Sequence, residues 1–147
     1  MIPGQIRPLV IGVFSWNKAI LVAESYDPGK QQHFYRPIGG GINFGEYSQA
    51  ALVREVREEF GAEIDGLRYL GTLENVFIYN DQPGHEIVQV YDAEFVDRSL
   101  YEREALLGLE DNGLTFKAFW KPLAELQNDS RPLYPSGLLE LLQKGSM

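Results

Sequence analysis

Glu55, Glu58 and Glu59 are the residues whose types and spacing could do chemistry in this chain. They fall in the stretch Arg54-Glu-Val-Arg-Glu-Glu59-Phe-Gly61, whose pattern predicts an amphipathic helix beginning near Ser48 and stopping at Gly61. Successive helical residues rotate by about 100°. Glu58 and Glu59 therefore lie one turn beyond Glu55, and the three carboxylates share a face. Leu52, Val53, Val56 and Phe60 gather on an adjoining face, the side expected to pack on a core. Three like charges within one turn repel unless something positive sits among them. A hard divalent cation suits that place, and Mg²⁺ in particular takes a few carboxylates while keeping waters and phosphate oxygens. A charged helix face alone is commonly just solvated, and Arg54 and Arg57 are present to relieve the repulsion. The run Gly39-Gly40-Gly41 ahead of the helix shifts the balance, because glycines let backbone approach a ligand closely. Carboxylates that hold metal, beside a loop that positions phosphate, suit attack of water on phosphorus. That step needs charge neutralised on the phosphate oxygens, a polarised water and in-line geometry.

Those parts need elements to hold them. Ile6 to Trp16 is apolar and β-rich, with Gly12 placed for close approach of a neighbour. Asn17-Lys18 predicts a turn, and Ala19 to Tyr26 a second strand in a hairpin with the first. Asp27 to Gln32 is a loop by its turn chemistry, and His33 to Pro37 a short extended piece leading into the glycine loop. Beyond the helix, Leu67 to Tyr79 and Glu86 to Val96 are predicted to pair as a hairpin around a turn at Asn80 to His85. Asp97 to Gly113 is charged and expected to be partly helical, with a turn at Asp111-Asn-Gly113. Leu114 to Trp120 is a strand, Leu123 to Gln127 a short helical turn, and Pro135 to Lys144 a closing helix capped by Ser136.

With 147 residues the chain has room for one domain, residues 1–147, and its 44% apolar content is that of a globular protein. No apolar run approaches the length of a membrane span. The first residues lack the charged start and apolar middle of a signal peptide, so a cytoplasmic location is the default expectation. Zero cysteines exclude disulfides and thiolate chemistry. A net charge of −8 argues against long nucleic acid held by nonspecific phosphate contacts. A small anionic substrate stays compatible, because a bound metal supplies local positive charge.

From Gly40 to Ala62 the chain reads Gly, five residues, Glu46, seven residues, Arg54-Glu55, Val56, one residue, Glu58-Glu59, one residue, Gly61, Ala62. This resembles the signature of the Nudix hydrolases in every fixed residue, across 23 of the 147 positions. The resemblance implies an α/β fold, the Nudix α/β/α sandwich with a mixed β-sheet between helices. It implies hydrolysis, with Mg²⁺ or Mn²⁺, of the pyrophosphate bond of a nucleoside diphosphate joined to another moiety. That substrate is a small-molecule nucleotide: a nucleotide sugar, a dinucleoside polyphosphate or a nucleoside triphosphate. A homodimer is compatible. Carried over by position, Glu55, Glu58 and Glu59 are metal ligands, with the Gly39 carbonyl a fourth; Arg54 orients Glu55; Glu46 supports that arrangement or touches a second metal. Gly39, Gly40 and Gly41 position the diphosphate. The family often draws its general base from outside the motif, and Glu86, Glu110 and Asp111 are the candidates by position. Tyr79 stands 17 residues past the motif, where relatives that cleave dinucleoside polyphosphates tend to carry a tyrosine. The proline of many ADP-ribose-cleaving relatives is absent, since that region reads Val76-Phe-Ile-Tyr-Asn80. The alternative is a catalytically weak domain that senses or binds nucleotides, but such domains usually lose the motif's carboxylates. Isoprenoid isomerases share the architecture and rely on a cysteine, which this chain lacks.

Overall fold

The computed structural model describes residues 4–145. In chain order the elements are β1 (Ile6–Val13), β2 (Ser15–Trp16), β3 (Ala19–Asp27), β4 (Gln32–Arg36), β5 (Ile38–Gly41), α1 (Ser48–Phe60), β6 (Ile64–Tyr79), β7 (Gln82–Phe95), a 3₁₀ turn (Arg98–Glu102), β8 (Ala105–Leu109), β9 (Thr115–Pro122), α2 (Leu123–Asn128) and α3 (Leu138–Gly145). A mixed sheet runs β5-β1-β7-β6, with β1 parallel to β7 and antiparallel to β5. A second, antiparallel sheet runs β2-β3-β9-β8, with β4 paired to β3.

Side chains alternate across a strand, and β1 shows what each face meets. Val10, and Phe14 just past the strand, face a core completed by Ala51, Leu52 and Val56 of α1. Leu9, Ile11 and Val13 face a second core completed by Leu126 of α2 and Leu138 of α3. The strands are thus sandwiched between helices, as the resemblance implied. Full burial of Leu52 or Val56 contributes about 1.5–3 kcal/mol each, which anchors α1 against the sheet. A Cβ at Gly12 would stand 3.1 Å from Leu52 Cδ2, the close approach expected of that glycine.

Several sequence expectations are corrected. The glycines Gly39 to Gly41 are not a loop: they form most of β5 and pair with Leu9 to Ile11 of β1. The Asn80 to His85 turn shrinks to Asn80-Asp81, because both residues take positive φ (49° and 61°) and make a two-residue hairpin. Pairing then begins at Tyr79 and Gln82, so Glu86 lies inside β7 and not at a strand end. The segment Asp97 to Gly113 contains a 3₁₀ turn, capped by Asp97 accepting from Ser99 N at 3.1 Å, followed by β8 instead of more helix. The first apolar stretch breaks after Val13, and Ser15–Trp16 joins the second sheet. α3 begins at Leu138, so Gly137 precedes it and Ser136 stands outside the capping position.

Candidate active site

α1 stops where glycine lets it. Gly61 takes φ 63° and donates to the Arg57 carbonyl at 2.9 Å, a left-handed cap free of Cβ strain. Arg54 then ties the helix to β5 and to the connecting loop. Its Nε donates to Glu46 Oε2 at 2.8 Å and its Nη2 to Glu46 Oε1 at 2.9 Å, a bidentate pair. Nη2 also donates to the Gly41 carbonyl at 2.9 Å. Nη1 reaches Glu55 Oε1 at 3.1 Å and both Glu58 oxygens at 3.3 Å. Hydrogen bonds from Arg54, and then from the Asn43 amide, hold the Glu46 carboxyl down to about 2. The Glu46 carboxylate in turn pushes Arg54 above its ordinary value.

The Glu55 carboxylate lies flat against the β5 backbone. A Cβ on Gly40 would fall 2.3 Å from Glu55 Cδ, so only glycine leaves room for it. Burial raises the Glu55 pKa, against the opposing pull of Arg54. Glu59 is raised to about 8, first by burial, then by the charge of Glu55 and a hydrogen bond with it, then by the charges of Asp111 and Glu110. Of the two neighbouring carboxyls, Glu59 is the one pushed further toward its neutral form. Glu59 Oε1 is buried with no hydrogen-bond partner. Among the described residues no group of three or more His, Cys, Asp or Glu already stands in cation-ligating geometry. Glu58, the third carboxylate, is exposed and accepts from Arg54 Nη1 at 3.3 Å on the same helix. Two neighbouring carboxyls, one with a buried oxygen that lacks a partner, fit Mg²⁺, which needs few protein ligands.

Beside this constellation a cavity of ≈ 600 Å³ opens between β1, β3, β4, β6, β7 and the segment at Tyr134. Its wall includes Arg7, Lys30, Arg36, Phe34, Tyr79 and Tyr134, with Asn75 and Glu86 also lining it. Arg7 links cavity and glycines, since its Nη2 lies 3.3 Å from where a Cβ of Gly41 would be. Asp27 braces the rim, accepting from Gly29 N at 3.0 Å and Asn80 N at 2.8 Å across two separate turns.

A model of the NUDIX domain matches residues 6–141. The chain belongs to the Nudix hydrolase family. An NAD-capped RNA hydrolase NudC of Pseudomonas aeruginosa (strain LESB58) is 28% identical over 102 residues, which are 68% of this chain and 33% of that protein. The chain thus spans about a third of the length of that curated relative. Among solved structures, a MutT NUDIX hydrolase from Burkholderia pseudomallei superposes with TM-score 0.68 at 20% identity, covering 95% of this chain and 98% of that one. An ADP compounds hydrolase superposes with TM-score 0.66 at 18% identity, covering 97% and 74%. These likenesses support the Nudix fold.

In this Nudix hydrolase the motif residues Glu46, Arg54, Glu55 and Glu59 come together with Gly40 and Gly41, while Glu58 stays half exposed at the edge of the group. A Cβ at Gly39 would sit 2.0 Å from the Val10 carbonyl oxygen, which explains the residue type there. Glu110 and Asp111 lie on the exposed β8–β9 turn, close enough for their charges to act on Glu59. Glu86 belongs instead to the cavity, 4% exposed and paired with Asn75. Tyr79 also lines the cavity, donating to the Tyr26 carbonyl at 3.3 Å. Sequence reasoning did not single out Arg7, Lys30, Arg36 or Asn75. Arg36 immediately precedes Pro37 and the glycine strand, and that adjacency was the one available signal. No helix among the described residues is long and apolar enough to cross a membrane.

Proposed function

We propose that this Nudix hydrolase uses Mg²⁺ or Mn²⁺ to hydrolyse the pyrophosphate bond of a nucleoside diphosphate joined to a second group. One observation carries the proposal: Glu55 lies against Gly40, and Glu59 beside it on the helix leaves its buried Oε1 without a hydrogen-bond partner. Glu55 and Glu59, with Glu58 and the Gly39 carbonyl, are the residues that would hold the metal, and Glu46 fixes Arg54. When bound, the metal supplies charge neutralisation at the phosphate oxygens and polarises water. Arg54 positions Glu55 through its hydrogen bond and locks Gly41 to the helix, which keeps the β5 backbone in place for the diphosphate. Glu110 or Asp111 takes the proton of the attacking water, since both sit on the β8–β9 turn, close enough for their charges to act on Glu59. The relatives named for ADP compounds and NAD-capped RNA support a nucleoside diphosphate unit in the substrate. A cytoplasmic setting and a homodimer complete the proposal. The test is a panel of nucleotide derivatives incubated with Mg²⁺ or Mn²⁺, with products identified by mass spectrometry. Cleavage between phosphates supports it; binding without turnover across the panel makes the domain a sensor.

A further inference from the structure

Glu86 is a charged-type side chain that is 4% exposed, lines the cavity, and has a single hydrogen bond, from Asn75 Nδ2 at 3.5 Å. That is long for a hydrogen bond. Arg7 is its cross-strand neighbour on β1, as Asn75 is on β6, so the three form a row across the sheet. Yet no ion pair joins Arg7 to Glu86, and none of Arg7, Lys30 and Arg36 stands within ion-pairing distance of a carboxylate among the described residues. The second Glu86 oxygen is not enclosed by protein, so it opens to the cavity, where a ligand can reach it.

The cavity therefore offers two kinds of contact. Unpaired cations at its wall suit phosphate oxygens, and Arg7 leads toward Gly41 and the motif. Glu86 has two acceptor oxygens at one spot, and Asn75 adds an amide donor. Phe34, with Tyr134 at 5.2 Å and Tyr79 at 6.3 Å between ring centroids, supplies aromatic surface for a flat ring. Among the common nucleobases only guanine presents two adjacent N–H donors, N1–H and N2–H, beside an acceptor, O6. Adenine and cytosine each offer one donor next to an acceptor and would leave one Glu86 oxygen unmet.

We infer that the cavity seats the nucleoside end of the substrate and that Glu86, with Asn75, selects guanine. This rests on the pyrophosphohydrolase function proposed above and names the substrate class for it. Glu86 is then a specificity residue and not the general base. A site built to bond a donor rejects an analogue that lacks it, because its own buried group is left unpaired.

Binding of GMP, IMP and AMP, measured calorimetrically on the full chain in EDTA, tests this without turnover. IMP differs from GMP only by the missing 2-amino group. We expect GMP to bind at least about tenfold more tightly than IMP or AMP, as suits a hydrogen bond to a charged group. In Glu86→Gln the GMP-to-IMP ratio should fall to within about twofold, with an unchanged circular-dichroism spectrum. Equal affinities in the unmodified protein overturn the inference, and this arm needs no variant. So does a Glu86→Gln protein that keeps its guanine preference while turnover collapses, which would make Glu86 the base. The pyrophosphohydrolase function fails by a different result, the absence of cleavage of every nucleotide derivative with Mg²⁺ or Mn²⁺.

Discussion

Glu59 should make the metal-free protein lose stability as pH rises through neutrality. Its carboxyl is lifted from 4.5 to about 8 by burial and by the charges of Glu55, Asp111 and Glu110. The unfolded chain releases this proton above about 4.5, whereas the folded chain keeps it until about 8. Between those values the folded state binds the extra proton, so unfolding free energy falls with rising pH and levels off above 8. At about 1.4 kcal/mol per pH unit, the full window is worth at most about 5 kcal/mol. Glu59→Gln carries no proton to lose and keeps the neutral shape, so its stability curve should lack that descent. The two proteins should be similar near pH 5, and the variant should be the more stable at pH 8 by about 2–5 kcal/mol. Urea unfolding in EDTA from pH 5 to pH 9 measures this. Adding Mg²⁺ to the unmodified protein should flatten its descent, because the cation favours the ionised pair. Parallel curves for the two proteins in EDTA would show that Glu59 is not the buried, proton-holding member of the pair.

Gly40→Ala should displace Glu55, because the added carbon would fall 2.3 Å from its Cδ. The expected result is loss of most of the Mg²⁺-induced rise in melting temperature, while Val96→Ala, at an exposed position away from the motif, leaves that rise intact. Glu110→Gln and Asp111→Asn, made singly, should identify the base by a fall in kcat of about 10²–10⁴ with substrate affinity largely kept. Near-normal rates in both variants would move that role to Glu55. Arg54→Ala removes the bonds to Glu46, Gly41, Glu55 and Glu58, and should cost more than about 10² in kcat/KM with Mg²⁺ binding measurably weakened.

The motif was legible because its parts are local. Helical periodicity puts Glu55, Glu58 and Glu59 on one face whatever the rest of the chain does, and Gly61 ends the helix by its own backbone freedom. The state of Gly39 to Gly41 was not legible. These glycines look like a loop by composition, and only pairing with Leu9 to Ile11, some thirty residues earlier, makes them a strand. β8 was hidden for a similar reason: Leu106-Leu107 suits helix or strand, and its pairing with β9 decides. Asn80-Asp81 did mark a hairpin, but Pro83 and Gly84 continue the strand where they were expected to extend the turn. The turning of Glu58 toward Arg54 is a local i,i+4 contact along α1, whereas the reach of the same guanidinium to Glu46 and the Gly41 carbonyl depends on how the preceding loop folds back. The cavity was the least legible part. Its residues come from β1, β3, β4, β6 and β7, and nothing in the local sequence around Arg7 or Asn75 announces that they meet.

The central claim is that the bond broken joins two phosphates. Hydrolysis of a nucleoside diphosphate derivative in ¹⁸O-labelled water, with Mg²⁺ present and products weighed by mass spectrometry, tests it most directly. Attack on phosphorus at the Glu55–Glu59 site predicts one labelled oxygen on one of the two phosphate products and none on the released alcohol or sugar carbon. Label on carbon, or an unlabelled phosphate pair accompanying cleavage, would contradict it.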